Sequence, residues 1–353
     1  MESAATQPSS TPVSREWWNQ TAKDVVEPNV ISLVSEKVRE ARTSPEVMNY
    51  DKHSRRKVAY VYRSFIVLLI ANVLMDLLLS YVLTGNASTT LPFADTLPVV
   101  LLLLALSVAL KTYSILRLGK FIIPITRAFM HAQMHHKFGS SPRMNAVLNH
   151  GISLIFSLPQ TAYVVGHRIH HRHDNDWSPD GLPKDPQSTF MFSKTSKPLN
   201  MWLWIPYIMF AFQIFIAPYL TLKVGRTREK IWLILESLTV ILFHVAMYTL
   251  AFSFYCYVYL PSLFIAWYLV ACSLYMQHNV SADSYSIHPS CDCLSKSFNS
   301  FAANDGYHLE HSLFPQLHPY YLPLIHEKLD VPEKQTVKRS YAIEGMKKMR
   351  NGG

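Results

Sequence analysis

The sequence predicts an all-α integral membrane protein. The expected layout is four transmembrane helices in two hairpins, with interfacial or re-entrant helices and a cytosolic cap carrying clustered histidines. Three observations predict it. Of 353 residues, 49% are hydrophobic and 16% charged, against roughly 25% charged in a soluble globular domain. The apolar residues come in blocks, several near the roughly 20 residues that a bilayer core requires. Ten of the 16 histidines sit in four short stretches, each beside such a block.

Taken in order, Met1 to Ser14 is polar and rich in Ser and Thr. Without an apolar h-region it predicts no cleaved signal peptide. Residues 1–60 are expected to be a cytosolic N-terminal extension, with one or two short amphipathic helices in 15–42 lying on the membrane. His53-Ser54-Arg55-Arg56-Lys57 makes a basic flank before the first span, Phe65 to Leu83. Asp76 inside that span is costly in lipid and should face protein. A polar loop from Thr84 to Thr96 carries the sequon Asn86-Ala87-Ser88, which matters only in a eukaryotic lumen. Leu97 to Leu116 is the second span, and Arg117, Lys120 and Arg127 return the chain to the positive side.

Ala146 to Val165 is apolar but holds His150, Gly151, Pro159 and Gln160, so an interfacial or re-entrant helix is expected there. A loop rich in Pro, Asp, Gly and Lys follows, from Asp174 to Lys197. Three apolar runs then compete: Met201 to Leu222, Ile231 to Phe252 and Tyr255 to Met276. The segment from Lys223 to Lys230 carries four basic residues and one acid, which places it in the cytosol. Met201 to Leu222, broken by Pro206 and Pro218, is then interfacial, and the next two runs form a hairpin. Both termini and every histidine stretch fall in the cytosol. Residues 61–330 form the central membrane domain and 331–353 a cytosolic C-terminal tail.

The net charge of +9 resides in the segments placed in the cytosol. That suits the positive-inside rule, an anionic lipid surface or a small acidic protein partner. No basic stripe with interleaved aromatics stands apart from the spans, which speaks against nucleic acid. Cys256 and Cys272 read as small core residues. Cys291 and Cys293, in a Cys-Asp-Cys run, read as inert cytosolic thiols.

The histidine spacing carries the chemistry. His131 and His135 are four apart, with His136 following. His167, His170 and His171 stand at i, i+3 and i+4, and His308 and His311 at i, i+3. Each set shares a helix face. With His278, nine imidazoles exceed the three or four that one zinc takes, so two ions fit the count. Imidazole suits Zn, Cu, Fe and Ni alike, and the spacing leaves the metal open. His53, His150, His244, His288, His318 and His326 lack this company and read as structural. His244, within a span, needs a partner.

These boxes make the chain resemble the membrane fatty acid desaturase/hydroxylase superfamily over about residues 60–325. His131 and His135 match its first box, and His167, His170 and His171 its second. Asn304 through His311, with the trailing Leu313-Phe314-Pro315, is similar to its third. Ser312 departs from that third box, whose last position is normally His. His278 and His136 are candidates to complete the set. The resemblance implies two Fe ions on the cytosolic face, with O2 as co-substrate. Asn279, Asn304, Asp305, Glu310 and Asp185 are expected to orient the rings. Tyr163 and Trp177 are candidates to line a substrate channel, though apolar packing is the expected role.

The implied reaction abstracts hydrogen from an unactivated C–H bond of an acyl lipid and leaves a double bond. A hydroxylase, ketolase or acetylenase on the same scaffold differs only in product. A histidine-rich metal transporter and a membrane zinc hydrolase are the rivals of another class. No Rossmann, flavin or fused cytochrome b5 motif is present, so electrons are expected from a separate carrier, cytochrome b5 or a ferredoxin. The implied location is the endoplasmic reticulum in a eukaryote or the inner membrane in a bacterium.

Overall fold

The computed structural model describes residues 26–88, 93–135, 141–173, 184–185, 187, 201–278 and 290–350. Helix α1 (Pro28–Glu40) precedes the long α2 (Pro45–Ser88). Helix α3 (Phe93–Arg117) runs through a π-helical turn, Leu118–Ile122, into α4 (Ile123–His135). Two shorter helices follow, α5 (Pro142–Phe156) and α6 (Gln160–His173). Then come α7 (Met201–Pro206), a π-helical stretch Tyr207–Ile216, and α8 (Ala217–Val224). Helix α9 (Thr227–Leu250) turns into α10 (Phe252–Phe254). A second π-helical turn, Tyr255–Tyr259, leads on to α11 (Leu260–His278). A small C-terminal unit holds α12 (Lys296–Phe301), α13 (His308–Leu313), α14 (Leu322–His326) and α15 (Tyr341–Arg350). Two short strands, β1 (Asp292–Cys293) and β2 (Thr336–Val337), pair in parallel within it.

Five of these stretches are long and apolar enough to cross a membrane: Pro45–Leu83, Leu97–His135, Trp202–Val224, Thr227–Leu250 and Phe252–His278. The sequence led us to expect four spans, and the additional stretch is Trp202–Val224. Leu74, Leu77, Val108 and Leu242 point outward on these helices. Such a surface suits a solvent of lipid tails, because each helix satisfies its own backbone hydrogen bonds.

Several polar groups inside the spans are paired. Asp76 on α2 meets Lys111 on α3, as the cost of a lone charge in lipid requires. Asn72 Nδ2 donates to Ser114 Oγ at 2.9 Å across the same two helices. The His244 ring lies 2.9 Å from the Tyr255 hydroxyl.

The apolar core runs through the middle of the bundle, with Ile122, Phe129, Tyr163, Phe212, Tyr259 and Tyr275 among its buried side chains. Gly166 lets α6 approach the Tyr207–Ile216 stretch, since a Cβ there would meet Phe212 at 3.2 Å. A second core joins the two ends of the chain. Val30 and Val34 of α1 pack with Leu309, Leu313 and Ile325. The apolar face of α1 therefore covers the third histidine box rather than lying on lipid. The last residues fold back as well. Tyr341 at the start of α15 donates from its hydroxyl to the carbonyl of Gly306 at 2.9 Å.

Candidate metal centre

The histidines of all three boxes converge where α4, α6, α11 and α13 meet. Box one comes from the last turns of α4, box two from the C-terminal half of α6, and box three from α13. His278 is the last residue of α11. Their ring nitrogens sort into two groups. His131, His135, His167, His171 and His311 form one, and His170, His278 and His308 the other. The His170 and His278 rings are 4.6 Å apart, and those of His167 and His170 are 5.3 Å apart, so the groups adjoin.

The contacts within each group are between like atoms. His131 Nε2 lies 3.0 Å from His311 Nε2 and 3.2 Å from His167 Nε2. His171 Nε2 lies 3.0 Å from His311 Nε2, and His308 Nε2 lies 3.1 Å from His278 Nε2. Burial, and then the neighbouring rings, push the pKa values of His167, His171 and His311 well below the ordinary imidazole value. Neutral rings that turn Nε2 toward several others cannot all be donor and acceptor to one another. Converging lone pairs are a donor set for a cation. With metal–imidazole bonds of about 2.1 Å, two donors about 90° apart on one ion stand about 3.0 Å from each other. The residues present therefore fit a pair of bound metal ions.

Two carboxylates fix the rings from behind. Asp305 Oδ1 lies 2.6 Å from His131 Nδ1. Asp185 Oδ2 lies 2.8 Å from His170 Nδ1, and both of these side chains are buried. Each contact holds the proton on Nδ1, so that the lone pair of the ring lies on Nε2, the ligand atom. Gln277 Nε2 also donates to Asp305 Oδ2 at 3.2 Å.

Two other residues expected to orient the rings do something else. Asn304 takes a left-handed conformation and donates from Nδ2 to the carbonyl of Pro319 at 2.9 Å. Its amide closes a turn rather than touching a box histidine. Glu310 turns away from the centre. It forms a group with the buried Asp292 and the half-buried His326, its Oε1 2.7 Å from His326 Nδ1. Burial, then the Asp292 carboxylate, push the Glu310 carboxyl upward. Burial opposes the charge on His326, but hydrogen bonds to Asp292 and Glu310 outweigh it and hold that ring high. The candidates His136 and Asn279 lie outside the described residues, as does Trp177. Ser312 is buried, and its hydroxyl lies 3.5 Å from that of Ser290.

Sequence reasoning missed one residue that positions box two. Glu236, buried in the span α9, accepts the backbone N–H of Thr161 at 2.7 Å. A carboxylate at the first turn of a helix complements its dipole, so Glu236 seats α6 from a neighbouring element. An acid inside an apolar run was the available signal.

A cavity of about 440 Å³ opens onto both groups, touching His131, His167, His278 and His308. Leu269, Val270 and Leu274 of α11, Phe298 and Phe301 of α12, and Ile343 and Met346 of α15 make it largely apolar. Tyr163, for which packing was expected ahead of lining a channel, does line it and stacks on the His167 ring at 5.3 Å. Burial pushes the Tyr163 phenol up to about 12, against the pull of Arg127.

The sequence model of the family described as Fatty acid desaturase matches residues 107–341. No curated protein and no solved structure gives a significant match to the chain.

Proposed function

We propose that this chain, which belongs to the fatty acid desaturase family, is a membrane-bound, oxygen-dependent di-iron desaturase that places a double bond in an acyl lipid. The observation that carries the reading is the cavity. It is largely apolar along its walls and reaches histidines of both groups. Bound iron would supply O2 activation and removal of hydrogen from an unactivated C–H bond.

The chain's own residues supply the rest. His131, His135, His167, His171 and His311 would hold one ion, and His170, His278 and His308 the other. Asp305 and Asp185 keep the protons of His131 and His170 on Nδ1. Leu269, Val270 and Phe301 would align an acyl chain and exclude water from it. The carboxyl-terminal helix α15 walls the cavity on one side through Ile343 and Met346.

The reading includes four crossings, with the histidines and both termini on the cytosolic side. The meeting of His278 with His170 supports an even number of crossings between residues 173 and 278. Three full crossings there would separate them. Trp202–Val224 then lies in the interface, and the basic loop Lys223 to Lys230 stays cytosolic. Electrons would come from a separate acidic carrier, cytochrome b5 or a ferredoxin, drawn to that basic face.

The test is expression in a host with its own electron carriers, with lipid mass spectra compared against His135→Ala and His171→Ala variants. A species lacking two hydrogens, present only with the intact chain, is the expected result. A species gaining one oxygen would make the chain a hydroxylase. Full activity in either variant would sink the assignment of the centre.

A further inference from the structure

Arg127 lies on α4 one helical turn before His131, and only 8% of its surface is exposed. Among the described residues its guanidinium meets the aromatic ring of Tyr163. The guanidinium rests over that ring at 4.2 Å and close enough to oppose the rise in its pKa. No carboxylate of the described residues forms an ion pair with it. Asp305, which lines the same cavity, is occupied by His131 at 2.6 Å and Gln277 at 3.2 Å. A buried guanidinium without a counter-ion is expensive, and an aromatic face offsets only part of that cost. Arg127 also lines the cavity, so its donors border the space a ligand would fill. Tyr163 links it to the centre, stacking in turn on His167.

We infer that Arg127 is the anion-binding group of this cavity, and that its ligand is an amphiphile with a small anionic head, a carboxylate or a phosphate. The planar guanidinium suits either head, because both present paired oxygens to its N–H groups. The apolar tail lies along Leu269, Val270 and Phe298. A cavity of about 440 Å³ holds such a head and its chain, so the charged end is drawn inside beside the histidines rather than left at the membrane surface. The inference rests on the reading of the cavity as the substrate site.

The test is ligand binding by the full chain purified in phosphatidylcholine nanodiscs. Radiolabelled palmitate and hexadecyl phosphate are each displaced by unlabelled palmitate, hexadecyl phosphate or methyl palmitate. The anions should displace about 10- to 100-fold better than the ester, the range for losing a charge-assisted hydrogen bond. That preference should collapse in Arg127→Gln and persist in Arg127→Lys. Whichever anion is stronger names the head group. Equal displacement by the ester, a preference retained in Arg127→Gln, or no binding of either anion overturns the inference. Should Arg127→Gln fail to fold, the comparison with the ester on the unaltered chain decides. Binding needs no turnover. An anion-selective site without desaturated product sinks the desaturase reading alone, and product without anion preference sinks this inference alone.

Discussion

Asp305 holds His131 through a 2.6 Å contact between Oδ1 and Nδ1, across 174 residues of sequence. The same relation, at 2.8 Å, joins Asp185 to His170 in the other group. Each histidine group thus has one ring fixed from outside by a carboxylate. Asp305→Asn and Asp185→Asn should each lower metal affinity about 10- to 100-fold while leaving every imidazole in place. Iron retained per chain, measured after graded challenge with a chelator, checks this. Retention equal to the unaltered chain in both variants would show that these carboxylates do not support the metal.

Among the described residues the two groups are unequal, five imidazoles against three. Ser312 stands one helical turn after His308 on α13, on the same face, and its hydroxyl lies 3.5 Å from that of Ser290. We predict that the three-histidine group releases its ion first. In Ser312→His a fourth imidazole would join that group and raise its affinity about tenfold or more. Metal release should then change from two separated steps to two overlapping ones. Unchanged steps in the variant would mean that position 312 does not reach the ion.

The box spacings were legible because an i, i+3, i+4 pattern fixes a helix face without any tertiary knowledge. Asp76 was legible as an acid needing a partner, since lipid offers none. The partition of eight histidines between two groups was not legible. His170 leaves its neighbours His167 and His171 to join His278 and His308, and that choice depends on how α6 and α11 cross. Asn304 and Glu310 sit inside the box-three motif and looked like ring partners. Helix phase turns Glu310 to His326 instead, and the left-handed backbone at Asn304 commits its amide to Pro319. Arg127 read as a topological charge because the sequence cannot show that its side chain is buried.

Cys293 is fully buried, and its Sγ lies 3.0 Å from the Arg339 carbonyl. Burial pushes its thiol up to about 11, so about one molecule in a thousand carries the thiolate at pH 8. Cys291 beside it is also buried. Iodoacetamide at pH 8 should leave both unmodified in the folded chain and modify both after denaturation, as read by peptide mass spectrometry. Rapid labelling of either in the folded chain would show an exposed, reactive thiol and overturn the reading of the Cys-Asp-Cys run as inert.

The Asp76–Lys111 pair ties α2 to α3 within the membrane, and Ser107 Oγ accepts from the same ammonium at 3.0 Å. Removing one partner leaves the other charge without compensation, which costs about 3 kcal/mol or more in a low-dielectric setting. Asp76→Ala should therefore lower the thermal stability of the detergent-solubilised chain. Removing both charges while keeping apolar volume is often neutral or stabilising, so Asp76→Leu with Lys111→Leu should recover most of the loss. That rescue separates a charge effect from lost packing, because a packing defect at Asp76 would persist when Lys111 also changes. Asp76→Ala melting with the unaltered chain would mean that the pair does not hold the first hairpin together.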